Sequence, residues 1–162
     1  MGKREREVTD SEEIRKILDK GLIIHLGLSD DGLPYVIPMN YGYVYQEGKL
    51  TIYVHGARDG YKYEVLAKNP QVAFSIETGI QPFEGRTACQ YGMAYESVLG
   101  HGTAELVTNP QEKMHAMTIL MKTQTGREFL FDEKLVSIVN VIRIDVSEFI
   151  AKRRPLPGEQ EK

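Results

Sequence analysis

The stretch TIYVHGARDGYKYEVLAKNP, residues Thr51 to Pro70, changes from a strand pattern to a helix pattern halfway along its length. Residues 51–56 are rich in branched and aromatic side chains, which is typical of a strand. Residues 60–68 carry apolar side chains at helical spacing, and an Asn-Pro pair ends that helix. The polar loop between the two contains Gly56 and Gly60, so its backbone can bend tightly and approach a ligand closely.

This loop combines three sources of positive charge. The first amides of a helix have no partner within the helix, and that end carries roughly half a positive charge. Arg58 and Lys62 add two full charges nearby. Together they predict a site for an anion, most simply a terminal phosphate. A plain turn with solvated cations is the alternative, and Asp59 could instead cap the helix.

The rest of the chain predicts many strands and few helices. Strands are predicted at 22–29, 33–45, 49–56, 71–78, 93–107 and 139–154, and helices at 10–20, 60–68 and 109–126. Pro34 and Pro38 exclude the second strand from a regular central ladder, while Gly100 and Gly102 predict a bulge in the fifth. Residues 79–91 are predicted to be a loop.

Six strands at short intervals predict a mainly β (α+β) fold: a closed or nearly closed antiparallel barrel with a few peripheral helices. A small barrel is filled by its own side chains. A large ligand would therefore lie outside it, for example between two copies of the protein.

Size and composition narrow the class of protein. A length of 162 residues favours one domain, here 1–154, with a flexible tail at 155–162. The net charge of −3 argues against a nucleic-acid binder. The single Cys89 suits a reducing compartment. Because no signal-like segment and no membrane-spanning apolar run are visible, we expect a cytoplasmic protein.

Most familiar catalytic motifs are missing. The four histidines share no zinc-binding spacing, so no metal site is predicted. No serine-hydrolase elbow and no parallel-type nucleotide loop occurs. His25 is expected to be a core or interface residue, and Tyr41 and Tyr43 could serve a cofactor or the core. His55 differs because it ends a strand and enters the glycine loop.

Three segments in this order carry a family resemblance: IRKILDKGLIIHLGLSDDGLPYVIPMNYGYVY, LTIYVHGARDGYKYEVLAKNPQVAFSIE and YESVLGHGTAELV. They resemble the pyridoxamine 5'-phosphate oxidase-like FMN-binding split barrel, and more closely its nitroimidazole-resistance (Nim-type) branch. The resemblance covers roughly residues 4–153. Pyridoxamine-phosphate oxidases proper carry more basic residues in the strand that here reads VIPMNYGY, residues 36–43. This difference argues against vitamin B6 oxidation.

The resemblance implies a six-stranded split barrel that forms a homodimer, with FMN in clefts between the subunits. It also implies a set of cofactor-binding residues, with Lys62 as the main charge partner of the phosphate. The implied set is Pro38, Met39, Asn40, Val54, His55, Gly56, Ala57, Gly60, Tyr61 and Lys62, with Ser97 and Val98 contributed by the other subunit. His55 would be the catalytic residue, placing the acceptor or donating a proton.

The implied activity is an FMN-dependent oxidoreductase that passes electrons to a small acceptor such as a nitroaromatic. A reduced nicotinamide nucleotide is the expected donor, although no nicotinamide motif is visible. The alternatives are a non-catalytic flavin- or haem-binding module of the same fold, a deazaflavin in place of FMN, and a dimer with an empty cleft.

Overall fold

The computed structural model describes residues 4–159. The strands are β1 (Glu7–Val8), β2 (Ile23–Asp30), β3 (Leu33–Gln46), β4 (Lys49–Gly56), β5 (Gln71–Phe83), β6 (Gly92–Val107) and β7 (Asn140–Arg154). The helices are α1 (Ser11–Lys20), α2 (Tyr61–Lys68), α3 (Pro110–Thr125) and α4 (Glu133–Ser137), with single 3-10 turns at Arg4–Arg6 and Ala88–Gln90. No helix in this part of the chain is long and apolar enough to cross a membrane.

The strands form one antiparallel sheet that closes on itself. The order around the ring is β7, β4, β3, β2, β5, β6 and back to β7, and the short β1 pairs with the far end of β7. The longest seam joins β6 and β7 and runs from Tyr95 opposite Arg154 to Val107 opposite Val141. The predicted six-stranded antiparallel barrel with peripheral helices is confirmed, and β1 is an addition to it.

The prolines of β3 lie where the strand tolerates them. Pro34 and Pro38 lie in the half of β3 that pairs only with β2, where a residue without an N–H is tolerated. The ladder between β6 and β7 shifts register between His101 and Gly102, but the extra residue is Ser147 of β7, so this bulge lies in the partner strand and not in the predicted one. A Cβ on Gly102 would lie 2.3 Å from the Asp145 carbonyl oxygen, which explains the small residue.

The predicted loop at 79–91 is wrong in its first part. Strand β5 continues to Phe83, because a register shift between Thr78 and Gln81 lets it keep pairing with β6. Gly79 lies in this shift with a φ of +61°, a conformation that glycine adopts without strain. Helix α4 was also not predicted. It has five residues and is capped by Asp132, which accepts a hydrogen bond from the Leu135 amide.

The barrel is filled by its own side chains, as expected for its size. Strands β2 and β5 alternate between buried and exposed residues, and α1 adds Ile14, Ile17 and Leu18 to the interior cluster. Tyr41 is fully buried, and its hydroxyl donates a hydrogen bond of 2.6 Å to the Leu18 carbonyl. A ligand of flavin size therefore has no room inside the barrel.

Helix α3 covers the outer face of β3 and β4. It approaches β3 so closely at Gly42 that a Cβ there would lie 2.4 Å from Leu120 Cα. A second, smaller apolar cluster joins α3 and α4 to β4, β6 and β7: Tyr53, Val107, Ala116, Met117, Val136 and Val141.

Of the predicted tail, residues 155–159 are described and include a hydrogen bond from the Glu159 amide to the Leu156 carbonyl. Residues 160–162 lie outside the described residues.

Candidate functional site

The barrel wall opens between β3 and β4. Their ladder ends at the pair Tyr41 and Val54, so Asn40 and His55, which come next in the register, do not pair. Beyond that point β3 pairs only with β2, and β4 pairs only with β7. Residues 38–40 and 55–57 therefore border a gap in the wall, and both segments belong to the predicted cofactor site.

His55 lies at this gap on the outer face of β4. It pairs with Val141 of β7, which belongs to the outer apolar cluster, and its side chain is half-buried. Burial lowers the pKa of His55 below its usual value, because a charged imidazole is poorly solvated there. Its Nδ1 atom is buried and has no hydrogen-bond partner among the described residues. At neutral pH this ring is thus uncharged, with one polar atom left for a ligand.

The loop after His55 leads into α2 through a glycine. Gly60 is the N-cap residue with φ 146° and ψ 153°, a backbone conformation that residues with a side chain rarely adopt. No side chain caps the helix, so the proposed Asp59 cap is wrong. The first amides of α2 are consequently left without a side-chain acceptor, which suits an anionic ligand.

Lys62 and Tyr63 converge on the space beside Gly56. A Cβ built on Gly56 would lie 2.8 Å from the Tyr63 hydroxyl oxygen and 3.0 Å from Lys62 Nζ. Lys62 Nζ lies 4.4 Å from the centre of the Tyr63 ring, a cation–π contact. Within residues 4–159, Lys62 has no carboxylate in ion-pair range. Its charge is therefore available to a ligand.

The Tyr63 hydroxyl is the second buried polar atom without a partner in the described part of the chain. The Asn140 side-chain amide lies near it without reaching hydrogen-bond geometry, and donates instead to the Arg58 carbonyl at 2.7 Å. Sequence reasoning placed Tyr63 only on a helix face and did not consider Asn140. No local signal would have found either, because both reach the site through tertiary packing.

The other predicted residues divide between the two faces of the wall. Pro38 and Asn40 lie on the outer face, whereas the side chains of Met39 and Val54 are buried in the barrel core. Any ligand contact of Met39 or Val54 would be made by the backbone. Ala57 is exposed in the loop.

The side chain of Tyr61 points away from the glycine loop. Its hydroxyl donates a 2.5 Å hydrogen bond to Asp30, and this bond raises the pKa of Tyr61. Its ring also contacts Tyr35 edge-on. Any contact of Tyr61 with a ligand at the loop would use its backbone amide.

Ser97 and Val98 lie on β6, which is not adjacent to the gap between β3 and β4. Around the ring Val98 pairs with Ile76, Ile76 with Ile24 and Ile24 with Met39, so Val98 is level with the β3 side of the gap. The side chains of Ser97 and Val98 are buried, and that of Val98 belongs to the barrel core. Any ligand contact of Val98 would therefore be made by its backbone.

The side chains of Tyr41, Tyr43 and His25, which the sequence analysis also considered, do not border the gap between β3 and β4. Tyr41 belongs to the core, and the Tyr43 hydroxyl donates to Asp19 Oδ1 at 2.7 Å. Burial is the main reason that the pKa of Tyr43 is raised. His25 is exposed on the outer face of β2, with Nδ1 3.2 Å from a Glu77 carboxylate oxygen. The described residues contain no cluster of potential metal ligands.

The chain is similar in sequence and in structure to proteins of one known family. The family profile for pyridoxamine 5'-phosphate oxidase matches residues 10–153. A solved structure of a candidate 5-nitroimidazole antibiotic resistance protein from Bacteroides thetaiotaomicron is 30% identical, with a TM-score of 0.76. The match covers 91% of this chain and 86% of that one. No match was found among curated protein sequences.

Two more distant structures share the fold. The flavocytochrome Anf3 from Azotobacter vinelandii is 22% identical with a TM-score of 0.75, over 99% of this chain and 76% of that one. The FAD and haem binding protein from Mycobacterium smegmatis is 18% identical with a TM-score of 0.76, over 96% and 77%.

A closed antiparallel barrel with a gap between two strands, bordered by a glycine loop and by a lysine that has no carboxylate partner among the described residues, is the architecture of a split-barrel protein. The chain belongs to the pyridoxamine 5'-phosphate oxidase family.

Proposed function

We propose that this protein binds FMN at the gap between β3 and β4 and acts as an oxidoreductase on a small acceptor such as a nitroaromatic. The observation that carries this proposal is two buried polar atoms near the gap that have no partner among the described residues: His55 Nδ1 on the outer face of β4, and the Tyr63 hydroxyl, 2.8 Å from the ideal Cβ position of Gly56. A buried polar group without a partner costs free energy, so a ligand that satisfies it is the simplest reason for its presence.

The glycine loop fits the phosphate end of FMN. Lys62 supplies a charge that has no carboxylate partner within residues 4–159, and the start of α2, which no side chain caps, supplies backbone N–H groups. The missing side chains of Gly56 and Gly60 leave the space that Lys62 Nζ now borders, at 3.0 and 3.5 Å from the two ideal Cβ positions. The residues present therefore suit an anionic group such as a phosphate.

The outer face beside the loop fits the flavin ring. Pro38, Asn40 and His55 offer apolar surface together with a few polar atoms, which is what a flavin edge requires. FMN would supply the redox chemistry, accepting electrons from a nicotinamide donor and passing them to the acceptor. His55, neutral at pH 7, would orient the acceptor or hold the proton that follows the electrons.

The proposed assembly is a homodimer. The family resemblance implies that Ser97 and Val98 reach the flavin ring from the other subunit. A second copy would bring them to the gap and complete the site. The resemblance to the nitroimidazole-resistance branch and the 30% identity to the candidate 5-nitroimidazole antibiotic resistance protein from Bacteroides thetaiotaomicron support a nitroaromatic acceptor.

The first test is the absorption spectrum of the purified protein, followed by titration with FMN and with riboflavin. Flavin bands and a preference for FMN support the proposal, whereas a Soret band would identify a haem protein. A colourless protein that binds neither flavin would refute it.

The second test addresses catalysis. His55→Asn, assayed at saturating FMN with a reduced nicotinamide donor and a nitroaromatic, should lose about 10²-fold or more in turnover. His115→Asn, a histidine exposed on α3, is the matched control and should retain full turnover. If His55→Asn binds FMN and keeps full turnover, the catalytic role of His55 is wrong.

A further inference from the structure

The hydroxyl of Tyr63 is a buried polar group that the proposed site has not yet used. Its ring packs against the barrel core, yet its oxygen is buried without a hydrogen-bond partner among the described residues. Such a hydroxyl destabilises the free protein relative to the same ring without it. Burial raises the pKa of Tyr63, so the hydroxyl keeps its proton at neutral pH and remains a potential donor.

The hydroxyl lies next to the atoms that would meet a phosphate. It is 2.8 Å from the position of a Cβ on Gly56, and Lys62 Nζ is 3.0 Å from that same position. Lys62 folds over the face of the Tyr63 ring, with Nζ 4.4 Å from the ring centre. The ammonium group thus covers the same side of the loop that the hydroxyl faces.

We propose that the Tyr63 hydroxyl donates a hydrogen bond to the terminal phosphate of the bound flavin. In the structure Lys62 lies on the Tyr63 ring. When Lys62 turns to a phosphate at the glycine loop, the space beside Gly56 opens and the hydroxyl gains an acceptor. Tyr63 is then a second side-chain ligand of the phosphate, contributed by the residue next to Lys62. This inference rests on the proposed flavin function.

The test compares Tyr63→Phe with the unaltered protein by fluorescence titration with FMN and with riboflavin, which lacks the phosphate. The variant should bind FMN about 10- to 100-fold more weakly, because a hydrogen bond to a charged acceptor is lost, while riboflavin binding stays unchanged. The ligand-free variant should also melt about 2–4 °C higher, since a buried unsatisfied hydroxyl is removed.

The outcomes separate this inference from the function on which it rests. An unaltered protein that binds no flavin overturns both. An unaltered protein that prefers FMN over riboflavin, with a Tyr63→Phe variant that binds FMN equally well, overturns only the role of Tyr63. Equal weakening of FMN and riboflavin would place the hydroxyl at the ring or ribityl chain and likewise overturn the phosphate assignment.

Discussion

Replacing Lys62 by methionine is the sharpest test of the phosphate site, because it removes the charge and keeps most of the side-chain volume. Lys62 has no carboxylate partner among residues 4–159, so the substitution breaks no ion pair there. The one contact that it removes is the cation–π contact with the Tyr63 ring at 4.4 Å. That contact is worth about 0.5–1 kcal/mol at an accessible site, so the fold should remain stable.

The expected loss in FMN affinity follows from the contact that Lys62 would make. A hydrogen bond to a charged group contributes about 1.5–3 kcal/mol, which corresponds to a 10- to 150-fold weaker FMN complex. Riboflavin has no phosphate and should bind equally well to both forms. Added salt should weaken FMN binding less in the variant than in the unaltered protein. The variant has lost one attraction between a cation and the phosphate, and dissolved ions screen such attractions.

The matched control is Lys68→Met on the same helix. It removes the same charge six residues further on, where Lys68 Nζ lies 3.0 Å from Asp30 and points to the turn between β2 and β3. Both variants are titrated with FMN and riboflavin, with flavin fluorescence as the signal. Equal FMN affinity in Lys62→Met and the unaltered protein, or equal losses in the two variants, would refute a specific contact between Lys62 and the phosphate.

Two further predictions concern stability. Gly42→Ala should lower the melting temperature by about 5–10 °C, because its Cβ would lie 2.4 Å from Leu120 Cα in the backbone of α3. Gly27→Ala, whose Cβ would meet the nearest atom of Ala73 at 3.5 Å, should change it little. Equal melting temperatures would contradict the close packing of α3. As the pH falls below about 6.5, the unfolded chain binds a proton at His55 before the folded chain does, because burial lowers the folded pKa. Stability should therefore fall with pH in this range, and less so in His55→Asn; identical pH profiles would show that His55 is not desolvated.

Much of the fold could be predicted from local patterns. Runs of branched and aromatic residues, together with the glycines and prolines between strands, predicted six of the seven strands. Helix α3 begins where expected, because Asn109 caps it and accepts hydrogen bonds from the Gln111 and Glu112 amides. Two elements that depend on strand pairing were missed, namely β1 and the extension of β5 to Phe83, and so was the short helix α4.

The candidate site was predicted only in part. His55, Gly56, Gly60 and Lys62 come from one continuous loop, so the sequence could point to them together. Tyr63 could not be separated from an ordinary core residue, because only its approach to Gly56 shows that its hydroxyl is left without a partner.

The sequence by itself therefore determined the strands, the turns and the cationic glycine loop, because these depend on residues close together in the chain. The tertiary structure alone decided how β6 closes on β7, where the wall opens between Asn40 and His55, and that Ser97 lies at the far end of the seam. These features arise from pairing between residues far apart in sequence. Their register is set by how side chains fill a shared core, which no local pattern encodes.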